Sequence, residues 1–493
     1  MTCSRRRLVL ALTLGLALLA LTLGGCSMLK PPAPPDLLAE YRPGLRPDIE
    51  IEPSLLSVMP RYSITVRIEP ATGLYTGTME VSVPITGTMP RNDFYFRLYP
   101  NLPQFGGALE VRAANVNGSL VNYAYEAAGT ALHLSWPKPL PVGEDARVWL
   151  SFNGKTEQRK PGLYTIFGAN ESVLSLTNFY PILAGRREDG WALDVASPLG
   201  DVGFHDAALY RVEATMPADQ IVATTGVTTT ETVQDGWATR TYVHGPAREF
   251  TLMMSPRFQV TEADAYGTRV RSYYLPDNVQ AGRMALHYGV AALQVYSDQF
   301  GRYPYREMAI VEAPLTFRGM EFPGMSLIGS QDYGKFRQDL ENLVVHEAAH
   351  QWWYNQVGSD QTKSPWQDEG LAEWSMYAYY LARYGVLAAE RLRADRWQVP
   401  IRYAIQTGTD RPIGLPVDSY GVPDYERTVY AKGALFFATL RDEMGEEAFR
   451  TLLRTYVERF RWRIATPADL IALANEVSGK DLSGMFSRWV EGK

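Results

Sequence analysis

Apolar and polar residues alternate along the first half of the chain, and the period then changes. Tyr62, Ile64, Val66 and Ile68 interleave with Ser63, Thr65 and Arg67. Phe94, Phe96 and Leu98 interleave with Tyr95 and Arg97, and Val148, Leu150 and Phe152 repeat the pattern. A period of two places every second side chain on one face of a pleated strand, so these runs predict strands with one face buried. Their number over residues 55–263 predicts an all-β sandwich or saddle. His133, His205 and His244 are scattered through this half and read as structural or surface residues.

From residue 264 the pattern is mixed. Short strands are expected over 269–275 and 308–312, with a helix over 278–300 between them. Gly301 and Pro304 stop that helix. Helices then dominate, over 340–356, 369–384, 431–444 and 447–460. Thr466-Pro467-Ala468-Asp469 predicts one more helix start, with a hydroxyl cap, proline at the first helical position and an acid in the first turn. The expected chain is multi-domain α+β, with an N-terminal all-β domain over 55–263 and a second domain of small sheet and helices over 264–493.

The N-terminus follows neither pattern. Arg5, Arg6 and Arg7 precede sixteen apolar residues, Leu8 to Leu23, and the run ends in Leu23-Gly24-Gly25-Cys26. A short apolar core behind a positive cluster is a targeting signal, here over 1–25. Its end resembles a bacterial lipobox, which implies a lipid on Cys26 and an enzyme held outside the cytoplasm. An uncleaved membrane anchor is the alternative, and it places the chain on the same side. Prolines 31, 32, 34 and 35 open a stretch expected to be extended and exposed, so residues 26–54 read as a tether. Of the two cysteines, Cys3 falls in the removable segment, so the mature chain has no disulfide and depends on packing. The formal charge is −6, with no basic block beyond the signal, which excludes nucleic acid as a partner.

The chemistry is concentrated in one stretch. His346-Glu347-Ala348-Ala349-His350 is followed by eighteen residues and then Glu369. On a helix, histidines four apart lie one turn apart on the same face and reach a single zinc ion. Glu347, next to the first histidine, is placed to take a proton from a water activated by the metal. A carboxylate from another helix completes three protein ligands and leaves a fourth position open, as catalytic zinc requires. Leu343, Val344 and Val345 before the motif, with Trp352 and Trp353 after it, mark a buried helix, where histidines and a glutamate need a partner.

The stretch from His346 to Trp374 resembles the zinc site of the M1, aminopeptidase N-like, metallopeptidases. That resemblance implies His346, His350 and Glu369 as ligands of one zinc per chain, with Glu347 as general base. Arg318-Gly319-Met320-Glu321-Phe322 resembles the family's GxMEN exopeptidase motif, which implies peptide binding by Gly319, Met320 and Glu321, with Glu321 holding a substrate's free amine. Arg318 and Phe322 depart from it. Tyr430-Ala431-Lys432-Gly433-Ala434 resembles the Y-x-KG motif, which implies that Tyr430 stabilises the oxyanion, while Lys432 reads as structural. The family often adds a second acid from its N-terminal domain, for which Glu171 is one candidate, and Glu373 could orient a ligating histidine. The implied second domain is a thermolysin-like zinc catalytic domain. The chain ends at Lys493 soon after its last helix, without the large helical C-terminal domain of many members, which implies a more open cleft. The implied activity is a zinc aminopeptidase acting on peptides. A zinc endopeptidase on the same site and a catalytically silent binding lipoprotein are the alternatives.

Overall fold

The computed structural model describes residues 36–157, 166–170, 172–315 and 317–493. Cys26, the signal over 1–25, the start of the tether and Glu171 lie outside them. No helix among the described residues is long and apolar enough to cross a membrane. Residues 40–493 form one compact unit.

The period-two runs are strands. Arg61–Glu69 buries every second residue, and its neighbours are Leu74–Pro84, antiparallel with Ile64 opposite Met79, and Ala208–Pro217, parallel with Ile64 opposite Val212. Asp145–Lys155 and Ala108–Val116 extend the sheet on one side, and Trp237–Ala247 and Val227–Gln234 on the other. A second sheet, with Arg91–Arg97 and Ala131–Leu140 at its centre, packs against this one. Phe94, Phe96, Leu132 and Leu134 of the second sheet share a core with Ile64, Met79, Val148 and Phe152 of the first. Each such large apolar side chain contributes about 1.5–3 kcal/mol by leaving water. This is the β sandwich that the alternation predicts.

A five-stranded sheet follows, in the spatial order Gln259–Ala265, Thr268–Tyr274, Glu307–Ala313, Met325–Gly329, Gly319–Phe322. The helix Val279–Phe300 makes the parallel crossover between the second and third of these, and Gly301 ends it at a positive φ of 109° that favours glycine. Gln259–Ala265 pairs along its whole length with Thr268–Tyr274, so a domain boundary between 263 and 264 would cut a strand. Val311, Met325 and Leu327 of this sheet belong to the same core as the sandwich. The expected cap of the late helix is present, with Thr466 and Asp469 each accepting from the other's backbone N–H.

Two expectations need correction. Residues 41–51 are not an exposed tether. Tyr41, Leu45, Ile49 and Ile51 are buried, and Leu45 bridges to Tyr305. Arg46 N–H donates to the Pro304 carbonyl, and Arg306 N–H donates to that of Gly44. The apolar residues between the prolines are what the body covers. The motif helix also stops early, at Ala349 rather than 356. Trp352 and Trp353 continue the apolar pattern, but they are buried in a turn after the helix, in which Tyr354 takes a φ of 139°.

Candidate metal centre and peptide site

Two helices and one edge strand assemble the site. The motif helix Leu340–Ala349 carries His346 and Glu347, with His350 as its C-cap, and the helix Trp366–Tyr384 carries Glu369 and Glu373. All five are less than a tenth exposed. His346 Nε2 lies 3.1 Å from Glu369 Oε2 and 3.2 Å from His350 Nε2, and His350 Nε2 lies 3.3 Å from the same Glu369 oxygen. Ligands about 2.0–2.1 Å from zinc at the corners of a tetrahedron stand about 3.3–3.4 Å apart, so the three atoms have the spacing of one face of a zinc site.

The surroundings set the tautomers. His350 Nδ1 lies 2.9 Å from the Trp353 carbonyl oxygen, so Nδ1 carries the proton and Nε2 presents a lone pair. The early end of the helix supplies this contact, because the turn brings that carbonyl back over the ring. His346 Nδ1 faces Glu373 Oε2 at 3.5 Å, an ion-pair distance rather than a close hydrogen bond. Glu373 is itself gripped by Arg396 at 2.6 and 2.9 Å and by the Trp397 indole N–H at 3.0 Å. With both outer nitrogens so placed, two imidazole lone pairs and a carboxylate oxygen converge on one point. A cation bound there satisfies that arrangement. Burial alone would lower the His346 pKa, but its contacts with Glu369 and Glu373 hold it up at about 9. The same pairing holds Glu369 low despite its burial. The donor set fits zinc, and it is a group with one position to spare.

Glu347 points past the histidines to the edge strand Gly319–Phe322. A Cβ at position 319 would collide with the Glu347 carboxylate, so any side chain there would push that carboxylate aside. Glu347, Glu321 and His350 each bring a ligating atom within 4.8 Å of the others. Burial pushes the Glu347 carboxyl up to about 7 and that of Glu321 up to about 8. Tyr430 lies on a π-helical turn, Glu426–Lys432, and its hydroxyl donates to Glu369 Oε1 at 2.5 Å. That approach depends on two glycines. A Cβ on Gly433 would stand 3.0 Å from the Gly370 Cα, so the two backbones touch where their helices cross. Lys432 points away and pairs with Asp410.

The departures from the GxMEN pattern have structural uses. Arg318 pairs with Asp332 and Asp339 at the cavity wall, and Phe322 is buried in the shared core. Met320 is buried in that core and also lines the cavity. The cavity measures about 1000 Å³ and is walled by the edge strand, both helices, Tyr430 and a loop of the β domain. His133, His205 and His244 take no part in it.

Two residues in the site were not anticipated from the sequence. Asp201 sits on an irregular loop over residues 192–207 and lines the cavity. Gln361 lies between the two site helices, and its amide donates to Asp201 Oδ2 at 2.8 Å and to Glu321 Oε1 at 3.3 Å. Burial raises the Asp201 pKa well above the usual carboxylate range, and the neighbouring Glu321 charge adds to the effect. The one signal for Asp201 is the long interruption of the period-two pattern, since structureless loops of that length are commonly functional.

Residues 284–489, which carry every one of the motif residues from Gly319 to Tyr430, match the model described as the Peptidase family M1 domain. This stretch is therefore similar to an M1 peptidase domain. Among known proteins, Aminopeptidase M1-A of Oryza sativa subsp. japonica is 25% identical over 451 residues, covering 85% of this chain and 48% of the relative. Aminopeptidase M1 of Arabidopsis thaliana is 23% identical over 389 residues, covering 73% and 42%. The chain therefore spans about half the length of the plant relatives it matches. Among solved structures, a mutant of an M1 zinc metallopeptidase from Deinococcus radiodurans superposes with a TM-score of 0.64 at 20% identity, covering 90% of this chain and 96% of that one. The same protein with a bound Tyr-Ser-Ala substrate gives 0.63 at 21% identity, with the same coverage. This likeness shows the fold, a β-rich N-terminal domain followed by a second domain of sheet and helices.

Proposed function

We propose that this chain is a zinc-dependent aminopeptidase that removes N-terminal residues from peptides. The observation that carries the reading is the pair of carboxylates, Glu321 and Asp201, beside the convergent His346, His350 and Glu369. A substrate ammonium held by that pair would present the first peptide bond to the metal and to Glu347. Bound zinc supplies Lewis acidity toward water and the scissile carbonyl. Glu347 accepts the proton of the attacking water and returns it to the leaving amine, a task suited to a carboxyl that titrates near neutrality. The Tyr430 hydroxyl exchanges its bond to Glu369 for one to the developing oxyanion, a donor typically worth about 3–4 kcal/mol. Glu373 holds His346 in place through its second ring nitrogen.

The relatives named as aminopeptidases support this reading, as does the M1 domain match. An endopeptidase would have no use for two carboxylates at the end of the cleft, and a silent binding module would have no need of an intact ligand set. The reading extends to a lipoprotein anchored outside the cytoplasm. The three arginines, the apolar run and Leu23-Gly24-Gly25-Cys26 support that part. The test is the zinc content of the purified protein together with hydrolysis of matched free-amine and N-acetylated peptides. About one zinc per chain and cleavage of free-amine peptides alone are expected. Internal cleavage of N-acetylated peptides would establish the endopeptidase instead. Mass analysis of the mature N-terminus in a bacterial host tests the anchor, and acylation at Cys26 is the expected result.

A further inference from the structure

We propose that Gln361, locked in place by Arg187 of the β domain, is the positioning residue that turns Glu321 and Asp201 into one ammonium site; the inference rests on the aminopeptidase reading above. Gln361 is fully buried and has one NH2 group with two N–H bonds. One goes to Asp201 Oδ2 at 2.8 Å and the other to Glu321 Oε1 at 3.3 Å. The amide thus holds the two carboxyls side by side at the cavity wall, where an ammonium with three N–H donors can reach both. Without the amide, nothing would fix the two acids at one spacing, and an arriving ammonium would meet one of them rather than both.

The amide stays aimed because its neighbours are clamped. Arg187 sits on the hairpin Arg186–Arg187 and Gly190–Trp191. Its guanidinium donates to both oxygens of Asp360, at 2.5 and 3.2 Å, and to the Thr362 hydroxyl at 2.8 Å, gripping the residues on either side of Gln361. Asp360 in turn caps the turn by accepting from the Thr362 and Lys363 N–H groups, each at 3.2 Å. Asp194 closes the clamp by pairing with Arg187 and, at 3.2 Å, with Lys363. A planar fork is required for this grip, which lysine cannot supply. The loop between the two zinc-site helices is thus set by a domain that holds no zinc ligand.

The test compares zinc-loaded wild type, Gln361→Leu, Arg187→Lys and Glu321→Ala on a free-amine aminoacyl anilide, with zinc content and a thermal melt for each. Losing a hydrogen bond to a charged group predicts that Gln361→Leu raises KM about tenfold or more, with kcat within about threefold and zinc unchanged. Arg187→Lys should raise KM about three- to tenfold by the same route. If Gln361→Leu misfolds, Arg187→Lys decides the matter, because it keeps the positive charge and most of the side-chain volume. Unchanged KM in a folded variant overturns the inference, as does a fall confined to kcat. If Glu321→Ala loses at least tenfold while Gln361→Leu loses nothing, only this inference fails. If wild type and Glu321→Ala handle the anilide equally, the aminopeptidase reading fails and takes the inference with it.

Discussion

Glu373→Gln isolates the support behind a metal ligand from the ligand itself. The change keeps the shape of a side chain that is 1% exposed and removes its charge. Two effects follow. Arg396 loses its bidentate partner, but its side chain is 43% exposed and water can take up the guanidinium, so little stability goes with it. His346 loses the anion 3.5 Å from its Nδ1, which keeps that nitrogen protonated and the opposite one rich in electron density. Carboxylate partners of this kind are worth about 10- to 100-fold in metal affinity, or about 1.4–2.7 kcal/mol. Competition against a chelator of known zinc affinity reads the constant directly. The expected result is a loss of affinity in that range with most of the activity recovered at saturating zinc. An unchanged zinc affinity would refute the role given to Glu373, and a loss of activity that zinc does not restore would place Glu373 in the chemistry.

Tyr430→Phe should lower kcat by about 100- to 1,000-fold with little change in KM, because the donor acts on charge that develops only in the transition state. Steady-state kinetics with zinc-loaded protein checks this. Gly433→Ala puts a methyl group 3.0 Å from the Gly370 Cα and should cost about 1–3 kcal/mol in chemical denaturation, with kcat reduced as Tyr430 is pushed from Glu369. His244 bears on pH dependence, since burial lowers its pKa to about 3. The unfolded chain binds this proton below about pH 6.5 and the folded chain does not, so stability falls as pH falls through that window, by up to about 1.4 kcal/mol per unit. His244→Gln should lose that slope, and parallel stability curves for the two proteins between pH 6 and 4 would contradict it.

What could be read from the sequence was what lies close along the chain. The alternation in 62–68 and 148–152 reports which face of a strand is buried, and both runs are strands. The histidines share one helical turn, and Glu369 follows within one loop, so their convergence is legible in a short window. Asp201 meets Gln361 across 160 residues, and no local pattern encodes that contact. Gln361 itself looks like any polar loop residue. The end of the motif helix was hidden because Trp352 and Trp353 satisfy a helical period while packing in a turn. The belt over 41–51 was hidden for the opposite reason, because its prolines outweighed Leu45 and Ile49 in a reading based on composition.

The core that runs unbroken from Phe152 and Ile64 to Val311 and Leu327 makes the two halves poor candidates for recombination. A catalytic fragment begun at residue 264 would lack most of an outer strand and would expose to water the apolar face that the sandwich covers. A β domain expressed alone would carry the complementary scar. Engineering that swaps either half for a homologous one must therefore match the packing at this seam, or the hybrid will aggregate before its chemistry can be measured.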